Sequence, residues 1–175
     1  MCISYSYHMI NELTSEISFA SLKKEILKDY ETVCLSRAVS LLGRKEVLTG
    51  KAKFGIFGDG KELPQIAMAK AFQKGDFRSG YYRDQTFMMA IDCLTPQQIF
   101  AGLYAHTDPN HEPMSSGRQM GGHYNTDLID ENGSWLTQTD RYNSSSDVSC
   151  TAAQMPRLLG LAMASKLYRS EKSFD

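Results

Sequence analysis

The chain has 175 residues, 42% hydrophobic and 22% charged, a balance that suits one soluble globular domain with its own core. With 19 basic and 20 acidic residues the net charge is -1, so bulk electrostatics draws it neither to nucleic acid nor to an anionic membrane. Cys2, Cys34, Cys93 and Cys150 are too scattered for a Cys-x-x-Cys metal pair and read as reduced cytoplasmic thiols, not a disulfide framework.

Residues 1–10 carry no Lys or Arg and no long apolar run, which excludes a signal peptide or a membrane span there. Residues 1–20 read as a leader, with Met9 an equally good start, and residues 21–175 as the N-terminal part of one domain. Leu22, Ile26, Tyr30, Val33 and Ala38 recur at helical spacing while Lys23, Lys24, Lys28 and Glu31 turn away. That spacing predicts a helix over 21–42, stopped by Gly43.

Glycines at 50, 55, 58 and 60 break residues 45–60 into loop, with a short extended piece at 53–57. A small-residue helix follows over 63–72, with Pro64 in its first turn, where a missing N–H costs nothing. Residues 74–80 read as a polar turn and 83–91 as another helix. Thr95-Pro96-Gln97-Gln98 is a strong helix start: Thr caps, Pro takes the first position and Gln98 reaches back. Ile99, Phe100, Leu103 and Tyr104 lie on that helix. Residues 106–146 show little periodicity, and a loop of that length within a domain is functional or disordered. The last helix, over 152–169, sets Met155, Leu158, Leu159, Ala162 and Met163 on one face. With only four valines and no buried β-branched run, the segment is expected to be mainly helical, with long loops and no sheet of its own.

Four constellations could carry chemistry. Gly58-Asp59-Gly60 suggests a cofactor-metal turn, but no Asn occurs in 84–92 and no apolar strand leads into it, so it is rejected as one. Tyr81-Tyr82-Arg83-Asp84 offers a planar fork of donors beside a hydroxyl, suited to diphosphate oxygens, and is equally compatible with a helix start and a surface ion pair. In 117–124, glycines flank Arg118 and His123, allowing tight bends near a ligand and a ring that titrates near neutrality. Ser149 precedes a helix, either as a plain cap or facing a phosphate; Cys150 is a weak nucleophile candidate.

GKAKFGIFGDGKE (50–62), YYRDQTF (81–87), GRQMGGHY (117–124) and QMPRLLGLAMASK (154–166) together resemble the α portion of the decarboxylating component of thiamine-diphosphate-dependent 2-oxo acid dehydrogenases. The resemblance covers roughly residues 21–170 and rests on the order and register of the four stretches. It implies an α/β parent fold, of which this segment is the helical, loop-rich part. It also implies thiamine diphosphate and Mg2+ as cofactors, with the metal ligands and the central strand beyond the end of the chain. On that basis the chain is a truncated protein, inactive in isolation. By the same resemblance Tyr82 and Arg83 contact the diphosphate and Ser149 lies on the cofactor side. Phe54, Met120 and His123 line the substrate pocket, and His123 orients a carboxylate or moves a proton.

The implied partners are a β subunit or fused β-type domain in a larger oligomer, a lipoyl-bearing dihydrolipoyl acyltransferase, and a small 2-oxo acid. Branched-chain acids come first and pyruvate second. Two positions depart from the family pattern: Ala153 stands where Thr is usual, at a potassium site of some relatives, and Gly121 stands where Pro follows Met. A transketolase-like carboligase, which shares the cofactor but not the 117–124 loop, is the competing enzyme reading. A helical binding module without cofactor is the non-enzymatic one.

Overall fold

The computed structural model describes residues 18–170, so most of the expected leader lies outside the described residues. Helix α1 (Phe19–Leu48) starts inside that leader, where Ser18 Oγ accepts from Ser21 N at 3.1 Å. It runs through Gly43 instead of stopping there. A Cβ on Gly43 would lie 2.1 Å from the Phe57 ring, so this glycine makes room for the chain returning across the helix. The helix ends at Thr49 and Gly50, the latter at φ +77, where glycine meets little steric cost.

The predicted apolar stripe is not the buried one. Leu22, Ile26, Tyr30 and Ala38 are exposed, whereas Ser36, Val39, Ser40 and Gly43 face inward. The reason is the nature of the facing element, α3 (Gln85–Ala90), which presents polar side chains to α1. Ser36 Oγ and Thr86 Oγ1 are 2.7 Å apart, and Gln85 Nε2 donates to Ser36 O, Ser36 Oγ and Ser40 Oγ at 3.1, 3.1 and 2.8 Å. Small hydroxyl residues let the two backbones approach while every donor finds an acceptor.

Between them lies α2 (Glu62–Ala71), with Pro64 in its first turn as expected. Arg37 of α1 forks onto Glu62 at 2.6 and 2.8 Å and holds that carboxyl below its ordinary value. The core sits on the far side of α3, where Phe87, Met88, Met89, Ile91, Leu94 and Tyr124 bury one another. Phe72 meets the Phe87 ring edge-on at 5.2 Å and stacks on Tyr142 at 5.7 Å. Helix α4 (Pro96–Leu103) opens with the full reciprocal cap of Thr95 and Gln98. Helix α5 (Gln154–Ser170) forms close to its predicted bounds, but Met155, Leu158, Leu159 and Met163 are exposed, with no described element covering them. No helix among the described residues is long and apolar enough to cross a membrane.

A sheet exists where none was expected. β1 (Phe77–Ser79) pairs in parallel with β2 (Asn143–Ser145), Phe77 opposite Asn143 and Ser79 opposite Ser145. Neither strand has a β-branched residue, and Phe77 is their one β-favouring side chain, so local propensity marks them only weakly. They are held by buried polar groups instead. Asn143 Nδ2 is within reach of the carbonyls of Asp76, Gln138 and Arg141, at 3.3, 2.8 and 3.2 Å. Arg78, itself buried, sets Nη2 at 2.9 and 2.7 Å from the two Asp147 oxygens, reaches Ser144 Oγ through Nε at 3.3 Å and Asp84 through Nη1 at 3.4 Å, and lies 5.6 Å from the rings of both Phe87 and Tyr124. Burial pushes the Asp147 carboxyl up against the pull of that guanidinium.

Removing one partner of this pair strands a buried charge. Asp147→Asn should cost about 3 kcal/mol, the low end for a broken buried pair, since Asp84 remains near Arg78. Thermal melting checks this. Lys28→Ala, which breaks the exposed Lys28–Asp92 contact, should leave the melting temperature unchanged.

Candidate active site

Tyr82 and Arg83 lie in the turn between β1 and α3. Asp84 braces this turn, its Oδ2 accepting from Tyr81 N at 2.9 Å and from Arg78 at 3.4 Å. Gln65, buried on α2, adds a second brace: its Nε2 donates to Arg83 O at 3.0 Å and its Oε1 accepts from Phe87 N at 2.9 Å. Two glycines from separate loops then clasp the backbone. A Cβ on Gly58 would sit 2.2 Å from Arg83 O, and one on Gly122, at φ +89, would sit 2.5 Å from Tyr82 O.

Gly58 therefore has a packing role, and Asp59 beside it is engaged by Arg44 Nη2, 2.7 Å from both oxygens. Among the described residues no group of three or more His, Cys, Asp or Glu side chains is arranged to hold a metal.

The Tyr82 hydroxyl lies 2.7 Å from that of Tyr81. The Arg83 guanidinium lies 5.5 Å from the Tyr82 ring. Its Nε is buried and has no partner among the described residues. A buried guanidinium donor left unpaired is costly, and an anion's oxygen would satisfy it. The fit to a diphosphate rests on that orphaned donor.

The loop 117–124 is tied at both ends. Gly117, at φ +73, packs against Ala105 O, where a Cβ would come within 2.5 Å. At the other end Tyr124 N donates to Asp147 at 3.3 Å, and Asp147 N returns a bond to Tyr124 O at 3.1 Å. Met120 and His123 hang between these anchors. His123 Nδ1 lies 2.8 Å from Met120 O; a carbonyl only accepts, so Nδ1 carries the proton. Nε2 lies 2.5 Å from Ser149 Oγ. The ring also stacks near Tyr82 at 6.3 Å.

Five of the six expected site residues converge. Phe54, Tyr82, Met120, His123 and Ser149 line one cavity of about 150 Å³, together with Ile56 and Gly121. Arg83 is the exception; it is joined to the cavity through the Tyr82 ring it flanks. Ser149 is not a helix cap. Ala152 at φ +67 delays α5 to Gln154, so the Ser149 hydroxyl goes to His123 instead. Cys150 is exposed and not among the residues that line the cavity.

Sequence reasoning missed Ile56, Gln65 and Glu112, whereas Gly122 makes the tight bend expected of the 117–124 glycines. Glu112 is buried, lines the adjoining void with Met114 and Ser115, and accepts from Met114 N, Ser115 N, Ser115 Oγ and Gly117 N at 3.0, 2.9, 2.8 and 3.0 Å. An acid followed closely by Ser and Gly was its only trace in the sequence.

A family model described as dehydrogenase E1 component matches residues 30–174, a span that includes every residue of this site. No curated protein matches the chain. A mostly helical segment with a small parallel sheet is compatible with part of an α/β thiamine-diphosphate fold.

The clasp can be tested directly. Gly122→Ala forces a side chain both into the Tyr82 carbonyl and into left-handed backbone, and should destabilise by about 1–3 kcal/mol. Gly160→Ala, where α5 offers open space, should instead stabilise by up to about 1 kcal/mol. Paired thermal melts decide; equal shifts would mean the clasp carries no strain.

Proposed function

We propose that this chain, which belongs to the dehydrogenase E1 component family, supplies the α-side substrate and diphosphate contacts of a thiamine-diphosphate-dependent 2-oxo acid dehydrogenase. One observation carries the reading: segments far apart in sequence deliver Phe54, Tyr82, Met120, His123 and Ser149 to a single cavity, with an unsatisfied Arg83 donor beside it. Branched-chain 2-oxo acids are the proposed substrates, with pyruvate second; a cavity of about 150 Å³ walled by Phe54, Ile56 and Met120 favours an aliphatic side chain over a bare methyl.

Thiamine diphosphate, when bound, would supply the electron sink at which a 2-oxo acid loses CO2, and the acyl group would pass to a lipoyl group on a partner acyltransferase. This chain's residues bind and orient. Arg83 would hold the diphosphate, its unpaired Nε and the rest of the guanidinium offering donors to anionic oxygens, with Tyr82 beside it. Phe54, Ile56 and Met120 would offer the substrate an apolar wall. His123 rests Nδ1 against Met120 O and presents Nε2 to the Ser149 hydroxyl, and that nitrogen would orient a substrate carboxylate or pass it a proton.

Mg2+ would be held by groups outside the described residues. A β subunit or fused β-type domain would cover the exposed apolar faces of α1 and α5, an arrangement supported by Leu22, Ile26, Met155 and Leu159 standing in solvent.

In the assembled enzyme, Arg83→Ala should weaken thiamine diphosphate binding by about 1.5–3 kcal/mol, the worth of a hydrogen bond to a charged group. Arg83→Lys should recover only part, because a point charge cannot fork across two oxygens. Calorimetric titration reads both, and wild-type affinity in the two variants would remove Arg83 from the site. His123→Ala should cut turnover of a 2-oxo acid by about 10²–10⁴-fold while leaving cofactor affinity nearly unchanged. Undiminished turnover in a folded His123→Ala enzyme would end the role assigned to that ring.

A further inference from the structure

Glu112 is a buried carboxylate in no ion pair among the described residues. Burying such a charge is expensive unless hydrogen bonds replace its water. Here four donors do so: Oε1 takes Met114 N, and Oε2 takes Ser115 N, Ser115 Oγ and Gly117 N. Burial pushes the carboxyl up, but these donors more than offset it, and the group is held below its ordinary value of 4.5.

The donors converge only because residues 112–117 close into a ring, with Ser116 at φ 52 and Gly117 at φ 73. Left-handed backbone at Ser116, which carries a side chain, is uncommon and needs surrounding contacts to hold it. The chain leaves this ring at Gly117 and within six residues has delivered both Met120 and His123 to the cavity. Glu112 itself lines the void that continues from that cavity.

We propose that Glu112 is a positioning residue for the reaction: its carboxylate closes 112–117 into a ring that sets where Met120 and His123 stand. The proposal rests on the functional reading above for its catalytic half and on the hydrogen-bond geometry for its structural half. A neutral amide cannot replace the carboxylate. If Gln keeps an oxygen at the Oε2 position, its NH2 faces Met114 N, donor against donor.

The test uses the assembled enzyme with thiamine diphosphate and compares wild type, Glu112→Gln and Glu112→Asp. Amide hydrogen exchange is followed in the peptide spanning 113–123, and turnover of a branched-chain 2-oxo acid is measured on the same preparations. Glu112→Gln should speed exchange at Ser115 and Gly117 by about 10–100-fold, the effect of losing a hydrogen bond to a charged group. Its kcat should fall by about 10–100-fold, as misplacing a positioned group does. Cofactor affinity should stay within about twofold, since Tyr82 and Arg83 are braced separately by Gln65 and Asp84. Glu112→Asp keeps the charge on a shorter stem and should recover part of both losses.

If Glu112→Gln fails to fold, Ser115→Ala becomes the deciding variant. It removes one of the four donors and should move exchange and kcat in the same directions by smaller factors. Unchanged exchange, or faster exchange with unchanged kcat, would overturn the positioning role while leaving the functional reading intact. A wild-type enzyme that turns over no 2-oxo acid would overturn both together.

Discussion

The buried Arg78–Asp147 pair is the constraint on which the site depends. Arg78 is a β1 residue, and Asp147 lies just past β2, so their two bonds hold the parallel strands in register where local propensity is weak. The same guanidinium touches Asp84, which braces the Tyr82 turn, and the same carboxylate accepts from Tyr124, which ends the His123 loop. Gly80 is part of the arrangement: a Cβ there would sit 1.8 Å from the guanidinium, so only glycine lets Arg78 fold back over its own strand end. One ion pair thus ties together the Tyr82 turn and the His123 loop, both of which line one cavity. Buried pairs of this kind are weak sources of net stability.

How much of this was legible in the sequence depended on whether a feature's cause was local. The start of α4 was, because Thr95, Pro96 and Gln98 satisfy one another within a single turn. The bounds of α2, α3 and α5 were nearly so, since Pro64 and the apolar spacing are local signals. Gly43 was not, because its meaning lies in the Phe57 ring that packs on it from the following loop. The buried face of α1 was misread for the same kind of reason. Apolar periodicity pointed to Leu22 and Ile26, but the neighbour that α1 meets is the polar Gln85–Thr86 face, which selects Ser36 and Ser40. The candidate site residues were proposed through motif order, and their convergence on one cavity could not be read from spacing. Glu112 escaped because four hydrogen bonds from a loop backbone leave no periodic trace.

The exposed apolar residues of α1 and α5 bear on the same question from the outside. Leu27, Tyr30, Leu159 and Met163 stand in solvent although each side chain is large enough to reward burial. Their helical spacing, which misled the reading of the core, is consistent with faces shaped for another surface. Components of this family work alongside a β subunit and an acyltransferase, and faces of that composition suit such an assembly.

Most of the groups that hold the site are polar or glycine, not apolar. Gln65, Asp84, Glu112 and Asp147 each grip backbone amides or carbonyls, and Gly58 and Gly122 clasp the turn between them. Apolar contacts adapt to small shifts at low cost, whereas a hydrogen bond weakens steeply once its angle and distance are lost. A loop-borne pair such as Met120 and His123 has no helix or strand to fix it, so directional bonds at both anchors take that part. The cost appears as buried charge at Glu112 and left-handed backbone at Ser116 and Gly122, each tolerable only while its neighbours stay in place. A change at any one anchor should therefore be felt first in where His123 points, and only later in whether the chain folds.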